Sequence, residues 1–212
     1  EWVMELSVGR DANHGANVDA VIHACHSHEY WNGARYLASV NVGGAHSVVR
    51  AIQSSPSVRK VVFIGSYSAH VDRSASDDVA WLSRSSAREC SSRSKRLAQE
   101  VFRVAASAGT FRLDIVSPSY LIGPFQLVLL APLRWCPPNG INVVDVRDVA
   151  RAVVRCASST REQGQRILAS GDNISLRELF GEMNRQAGFA TTPRRVPREC
   201  LLLMPRLRQF GA

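Results

Sequence analysis

Glu89-Cys90-Ser91-Ser92-Arg93-Ser94-Lys95-Arg96-Leu97-Ala98-Gln99-Glu100 reads as the opening of an amphipathic helix. Leu97, Val101 and Ala105 recur at the spacing of one buried stripe, with Ala98 and Phe102 beside them. Ser91 and Lys95 are four residues apart, so they lie one turn from each other on the same side. Short apolar runs flank this helix: Val61–Ile64 before it, ending at Gly65-Ser66, and Phe111–Val116 after it, ending at Pro118. Strand, helix and strand in that order form a parallel pair with the helix as crossover.

The same alternation extends in both directions. Val18-Asp19-Ala20-Val21-Ile22-His23-Ala24 reads as an earlier buried strand, and residues 34–55 carry helical spacing through Leu37, Val40, Ala45, Val48, Val49 and Ile52. Downstream, Asn142–Val144 reads as extended, residues 145–156 as a helix and Arg166–Ala169 as a strand. Ser175-Leu176-Arg177-Glu178 is a capping box that opens a last helix to about Gln186. The fold class is α/β, with a parallel sheet covered by helices on both faces. In such sheets ligands bind at the carboxyl ends of the strands. Those ends are Ala24-Cys25, Gly65-Ser66 and Ser117-Pro118-Ser119.

Composition narrows the class of protein. A chain of 212 residues, 45% hydrophobic and 21% charged, can bury a substantial core. No apolar run approaches the roughly 20 residues a membrane helix needs. The five cysteines are scattered singly, which predicts a reducing compartment, the cytoplasm, and neither a disulfide framework nor a cysteine zinc site. The net charge of +8 comes from arginines spread along the chain, with a local concentration only at Arg194, Arg195, Arg198, Arg206 and Arg208. Without interleaved aromatics this is no nucleic-acid interface. His14, His23, His26, His28 and His46 cluster loosely, but no acidic or cysteine ligands support them at metal-binding spacing, so no metal is expected. Lys95 is one of only two lysines against 24 arginines.

These blocks, in this order, resemble the extended short-chain dehydrogenase/reductases: the NAD-dependent epimerase/dehydratases and the reductases similar to dihydroflavonol reductase and 3-beta-hydroxysteroid dehydrogenase. The resemblance rests on Val18–Ala24, Asn41-Val42-Gly43-Gly44, Val61–Ser66, Ser94–Glu100 and Pro118-Ser119-Tyr120-Leu121-Ile122-Gly123-Pro124, with later blocks at 142–150 and 164–179. It implies a Rossmann-like nucleotide-binding domain over residues 1–124. A small C-terminal substrate lobe over 125–212 would be interleaved with the last sheet elements at about 141–170. It also implies NAD or NADP as cofactor and a small-molecule substrate reacting at a hydroxyl or carbonyl carbon; a sheet flank left exposed by missing strands would invite a protein partner or a second copy of the chain in a homo-oligomer. By position, Ser66 would hydrogen-bond the substrate oxygen and Lys95 would hold the nicotinamide ribose. Ala24, Asn41, Pro118 and Leu121 would line the cofactor.

The chain departs from that family pattern in three places. The catalytic tyrosine position holds Ser91, and an alkyl hydroxyl is a far weaker acid than a phenol, so proton transfer is expected to fail there. None of the 14 glycines forms the GxxGxxG phosphate loop, and Trp2–Leu6 resembles the family's third strand, with Glu5 at its adenine-contacting position. The sheet is therefore expected to lack its first strands. The segment after Pro124 is shorter than the family's substrate-pocket insert. Three expectations follow: a nicotinamide-dependent oxidoreductase or epimerase with impaired activity, a non-catalytic binding or scaffold member, or a fragment of a longer enzyme.

Overall fold

A computed structural model describes residues 18–27, 33–67, 87–124, 132–162 and 164–197, without the side chains of 87–89. The readings at Trp2–Leu6, His14 and His28, most of the loop after Tyr67, and Arg198, Arg206 and Arg208 lie outside the described residues. The chain divides into two units, residues 1–118 with 148–169 and residues 119–147 with 170–212.

The first unit is built on four parallel strands in the order β1 (Ala20–His23), β2 (Lys60–Ile64), β3 (Arg112–Pro118) and β7 (Arg166–Ala169). Their registers run Ala20 with Lys60, Lys60 with Arg112, and Ile115 with Arg166. The β1–β2 connection is helical throughout: α1 (Gly33–Leu37), a π-helical stretch (Ala38–Gly43) and α2 (Gly44–Gln53). Between β2 and β3 runs α3 (Ala87–Ser107), the helix that opens with the Ser91–Lys95 pair.

Alternation along the strands sends Val61, Phe63 and Ile115 to one face. There they pack with Ala45, Val49 and Ile52 of α2 and with Ala98, Phe102 and Ala105 of α3. The expected stripe of α3 thus buries Ala98, Phe102 and Ala105, while Leu97 at its edge is only half-buried. Fully burying side chains of this size stabilises by roughly 1.5–3 kcal/mol each, so this cluster is the main cohesive element of the unit.

The opposite face carries α4 (Val146–Ser158), whose Val149, Val153 and Cys156 are buried. Its C-terminus is held by Arg112, which donates to the carbonyls of Cys156 at 2.7 Å, Ser159 at 3.0 Å and Arg161. Asp114, two residues on and so on the same face of β3, accepts from Arg112 Nη2 at 2.6 Å and from the Gln165 amide at 2.9 Å. Lys60 Nζ donates to the Ala157 carbonyl. The strand thus supplies the cations that the end of α4 needs.

In the second unit, β4 (Tyr120–Ile122), β6 (Gly140–Asp145) and β8 (Asp172–Ser175) form a mixed sheet, with β6 and β8 antiparallel. Of residues 141–170, only Arg166–Ala169 joins the four-stranded sheet, and the extended Asn142–Val144 segment belongs to this second one. A short parallel pair joins β5 (Trp135–Cys136) to β9 (Arg194–Arg195). The capping box forms as expected: Glu178 N donates to Ser175 Oγ, and Ser175 N donates to the Glu178 carboxylate, at the start of α5 (Leu176–Gln186). Asn184, fully buried, bonds the backbone of Leu133 and Thr191.

Two local readings needed correction. The first strand is shorter than 18–24, because Val18 is half exposed and Ala24 lies past the last pairing at His23. The run at 34–55 is interrupted by the π-helical stretch, a feature that 3.6-residue spacing does not encode.

Candidate active site

Beyond β2 the chain continues alongside β3, with the Gly65 amide donating to the Val116 carbonyl and the Tyr67 amide to the Pro118 carbonyl. Ser66 is held between these two bonds, half-buried at the carboxyl end of the sheet. Gly65 is closely approached: a Cβ there would stand 2.9 Å from Ser117 Oγ and 3.1 Å from Gln99 Oε1, so a side chain would force these groups to shift. Gln99 is four residues past Lys95, on the same side of α3. The close approach at Gly65 therefore brings the Ser66 segment against the Lys95 side of that helix.

Ser91 and Lys95 are both half-buried on α3. Burial pushes the Lys95 ammonium down to about 8, because a partly desolvated ammonium loses solvation energy that its neutral form does not need. A fraction of the amine is therefore neutral near physiological pH.

Asn41 is buried within the π-helical stretch, and its carboxamide joins three segments. Its Oδ1 accepts from the Ser27 amide at 2.7 Å, and its Nδ2 donates to the Ser27 carbonyl at 3.2 Å. The same Nδ2 donates to Ser94 Oγ at 2.9 Å, and Ser94 Oγ donates onward to the Ser91 carbonyl at 2.9 Å. The loop after β1, the π-helical stretch and the first turns of α3 are thereby tied together. The widened π turn is where such an inward polar group can be seated without breaking the helix.

The remaining predicted positions divide between the units. Ala24 is exposed just past β1, and Pro118 is buried as the last residue of β3, opposite Ala169. Leu121 belongs to the second unit, in β4 opposite Val144. His23 stacks on Phe63 with ring centroids 5.4 Å apart and leans on Phe102 at 4.9 Å. Burial lowers its pKa to about 4, so it is a neutral core residue. Among the described residues no three histidine, cysteine or acidic side chains group as metal ligands would.

Sequence reasoning missed Ser27, Ser94, Gln99 and Ser117 as the supports of this site. Ser94 had a signal: it is a small polar residue three after Ser91, where a hydroxyl can bond the carbonyl one turn back. Ser27 had none, since its contribution is its backbone.

Residues 7–129 match the model of the NAD dependent epimerase/dehydratase family, more than half of the chain. The chain belongs to that family. No curated protein matches it. Among solved structures it is similar to yeast methylglyoxal/isovaleraldehyde reductase Gre2 complexed with NADPH, at 20% identity and TM-score 0.70, covering 86% of this chain and 66% of that one. It is also similar to MoeE5 in complex with UDP-glucose and NAD, at 16% identity and TM-score 0.67, covering 85% and 66%. A third is gox2253, at 22% identity and TM-score 0.65, covering 92% and 64%. The chain thus spans just under two thirds of the length of each of these structures. At these identities the likeness is one of fold. No helix among the described residues is long and apolar enough to cross a membrane.

Proposed function

We propose that this chain carries the nicotinamide-side framework of a NAD(P)-dependent oxidoreductase or epimerase, with its proton-transfer group replaced. The observation that supports it is the placement of Lys95, half-buried with a lowered pKa, on the side of α3 that meets the Gly65-Ser66 strand end. In this reading the residues present serve the nicotinamide half of the cofactor: Lys95 would bond the ribose, Ser66 the substrate oxygen, and Ala24 and Pro118 would border the ring. They do not supply the pyrophosphate half, since these 212 residues contain no GxxGxxG turn. When bound, the cofactor would supply hydride chemistry at a carbinol or carbonyl carbon of a small molecule. What this chain contributes is orientation of the reacting oxygen and a positive charge beneath it.

Ser91 favours a second reading, a non-catalytic member that binds ligand or a protein partner. Its hydroxyl stands at the family's tyrosine position and is several pKa units too weak an acid, at about 1.36 kcal/mol per unit. Titrating NADH and NADPH against the chain by nucleotide fluorescence tests the first reading. Saturable binding weakened by Lys95→Ala supports it. Absence of binding at millimolar cofactor overturns it.

A further inference from the structure

At the opposite, amino end of the four-stranded sheet lies a cavity of about 810 Å³, formed within the first unit by the starts of β2 and β3, the end of α3 and residues 161, 162 and 164–166. We infer that it is a binding site for a small molecule bearing a diphosphate or comparable polyanion. Six cations line it against one carboxylate, Glu162. Two of them are neutralised by pairing, Arg103 with Glu100 and Arg112 with Asp114. Lys60 is bonded to the Ala157 carbonyl and Arg161 to Gln165 Oε1, and Arg166 also feels Glu100, which leaves an excess of positive charge around Arg59, Arg161 and Arg166.

The ends of the neighbouring helices do not account for this excess. The last carbonyls of α4 are served by Arg112 and Lys60. Those of α3 are served by the turn itself, where the Gly109 amide donates to Ala106 and Thr110 Oγ1 to Ala105. Arg59 and Arg166 are exposed and donate no side-chain hydrogen bond to any described residue.

Size and shape select the class of ligand. The volume falls in the roughly 300–1,000 Å³ range of small-molecule sites, and Ala106, Phe111 and Leu113 give it an apolar wall for the body of a ligand. Arg59 precedes β2 and Arg166 opens β7, two strands across and, by the registers of Lys60 with Arg112 and Ile115 with Arg166, about four residues further along, so their backbones are roughly 16 Å apart. Two long guanidinium side chains reaching towards one ligand from opposite sides of the cavity suit two linked phosphates better than one. Gly164 lies close against β3, where a Cβ would stand 2.0 Å from the Leu113 carbonyl, and so brings residues 164–166 in as one wall of the cavity.

Isothermal titration of the full chain with inorganic pyrophosphate at constant ionic strength tests this site, with sulfate and a single-stranded oligonucleotide as controls. The expected result is saturable binding at one per chain, stronger than sulfate and weakened about tenfold or more in the Arg59→Gln/Arg166→Gln variant. Lys95→Ala, at the other end of the sheet, should leave it unchanged. No saturable binding, equal affinity in the double variant, or preference for the oligonucleotide would overturn the assignment. A second readout needs no variant: pyrophosphate should shield Arg59 and Arg166, but not Arg35 and Arg50, from phenylglyoxal. Equal labelling of all four would also overturn it.

Discussion

Asn41 Nδ2 and Ser94 Oγ, 53 positions apart in sequence, are joined by a 2.9 Å hydrogen bond in the interior of the first unit. The bond couples the π-helical stretch to the turn of α3 that carries Ser91 and Lys95. It also makes the side chain of Asn41 a structural bracket whose donors and acceptor are already committed to Ser27 and Ser94.

Removing that bracket should be costly. Asn41→Ala deletes bonds to Ser27 and Ser94 and leaves buried polar groups unsatisfied, at about 1–3 kcal/mol each before any cavity cost. A urea melt should show a clearly lowered midpoint. A midpoint equal to the parent's would show that the bracket contributes nothing.

The Arg112–Asp114 pair should be still less tolerant. Its side chains are 6% and 2% exposed, so losing one partner strands the other charge in the interior. Asp114→Ala is expected to destabilise by about 3–5 kcal/mol. Arg112→Met/Asp114→Leu, which removes both charges, should recover part of that loss, and a double-mutant cycle in denaturant measures how much.

His23 sets an acid limit on stability. Its folded pKa, about 4, lies below the 6.5 of the unfolded chain, so between these values the unfolded state binds more protons. Stability from this group is complete above pH 6.5 and declines as pH falls towards 4, by up to about 3 kcal/mol. His23→Phe should flatten the pH dependence of the denaturation midpoint in that window. A parent midpoint that does not change between pH 6.5 and 4 would contradict the assignment.

Lys95 should titrate near pH 8 because of its burial. The chain has only one other lysine, Lys60, so a pH series of amine labelling resolved by peptide mass can follow Lys95 by itself. A midpoint for Lys95 near 10.5 would remove the burial argument. The unfolded state holds the extra proton between these values, so this group's contribution to stability rises with pH from about 8 to 10.5.

Under the proposed reading, Ser91→Tyr supplies the phenolic acid that Ser91 lacks. If the framework is otherwise competent, the substitution should raise nicotinamide-dependent turnover of carbonyl substrates above the parent's, while Ser91→Phe should not. Equal rates for the two variants would place the deficiency elsewhere, with the missing phosphate loop the first suspect.

Much of the fold was legible because it is local. The helical stripe through Ala98, Phe102 and Ala105, the strand at Arg166–Ala169 and the Ser175–Glu178 capping box each follow from spacing within a few residues. The short strands β4, β5, β8 and β9 were not legible, since no alternation of strand and helix around them marks them and their strand character comes from partners remote in the chain. The Arg112–Asp114 pair left a trace in the sequence: two opposite charges at i and i+2 of an otherwise apolar strand share a face and can bond each other there.

By itself, the sequence determined the alternation of strand and helix and the lack of a GxxGxxG turn within these 212 residues, both properties of neighbouring residues. Tertiary structure alone decided that Asn41 is spent on Ser27 and Ser94, and that Lys95 is buried enough to lower its pKa. It alone gathered Arg59 and Arg166 at one cavity. Desolvation and charge crowding depend on which distant segments meet, and no local pattern carries that information.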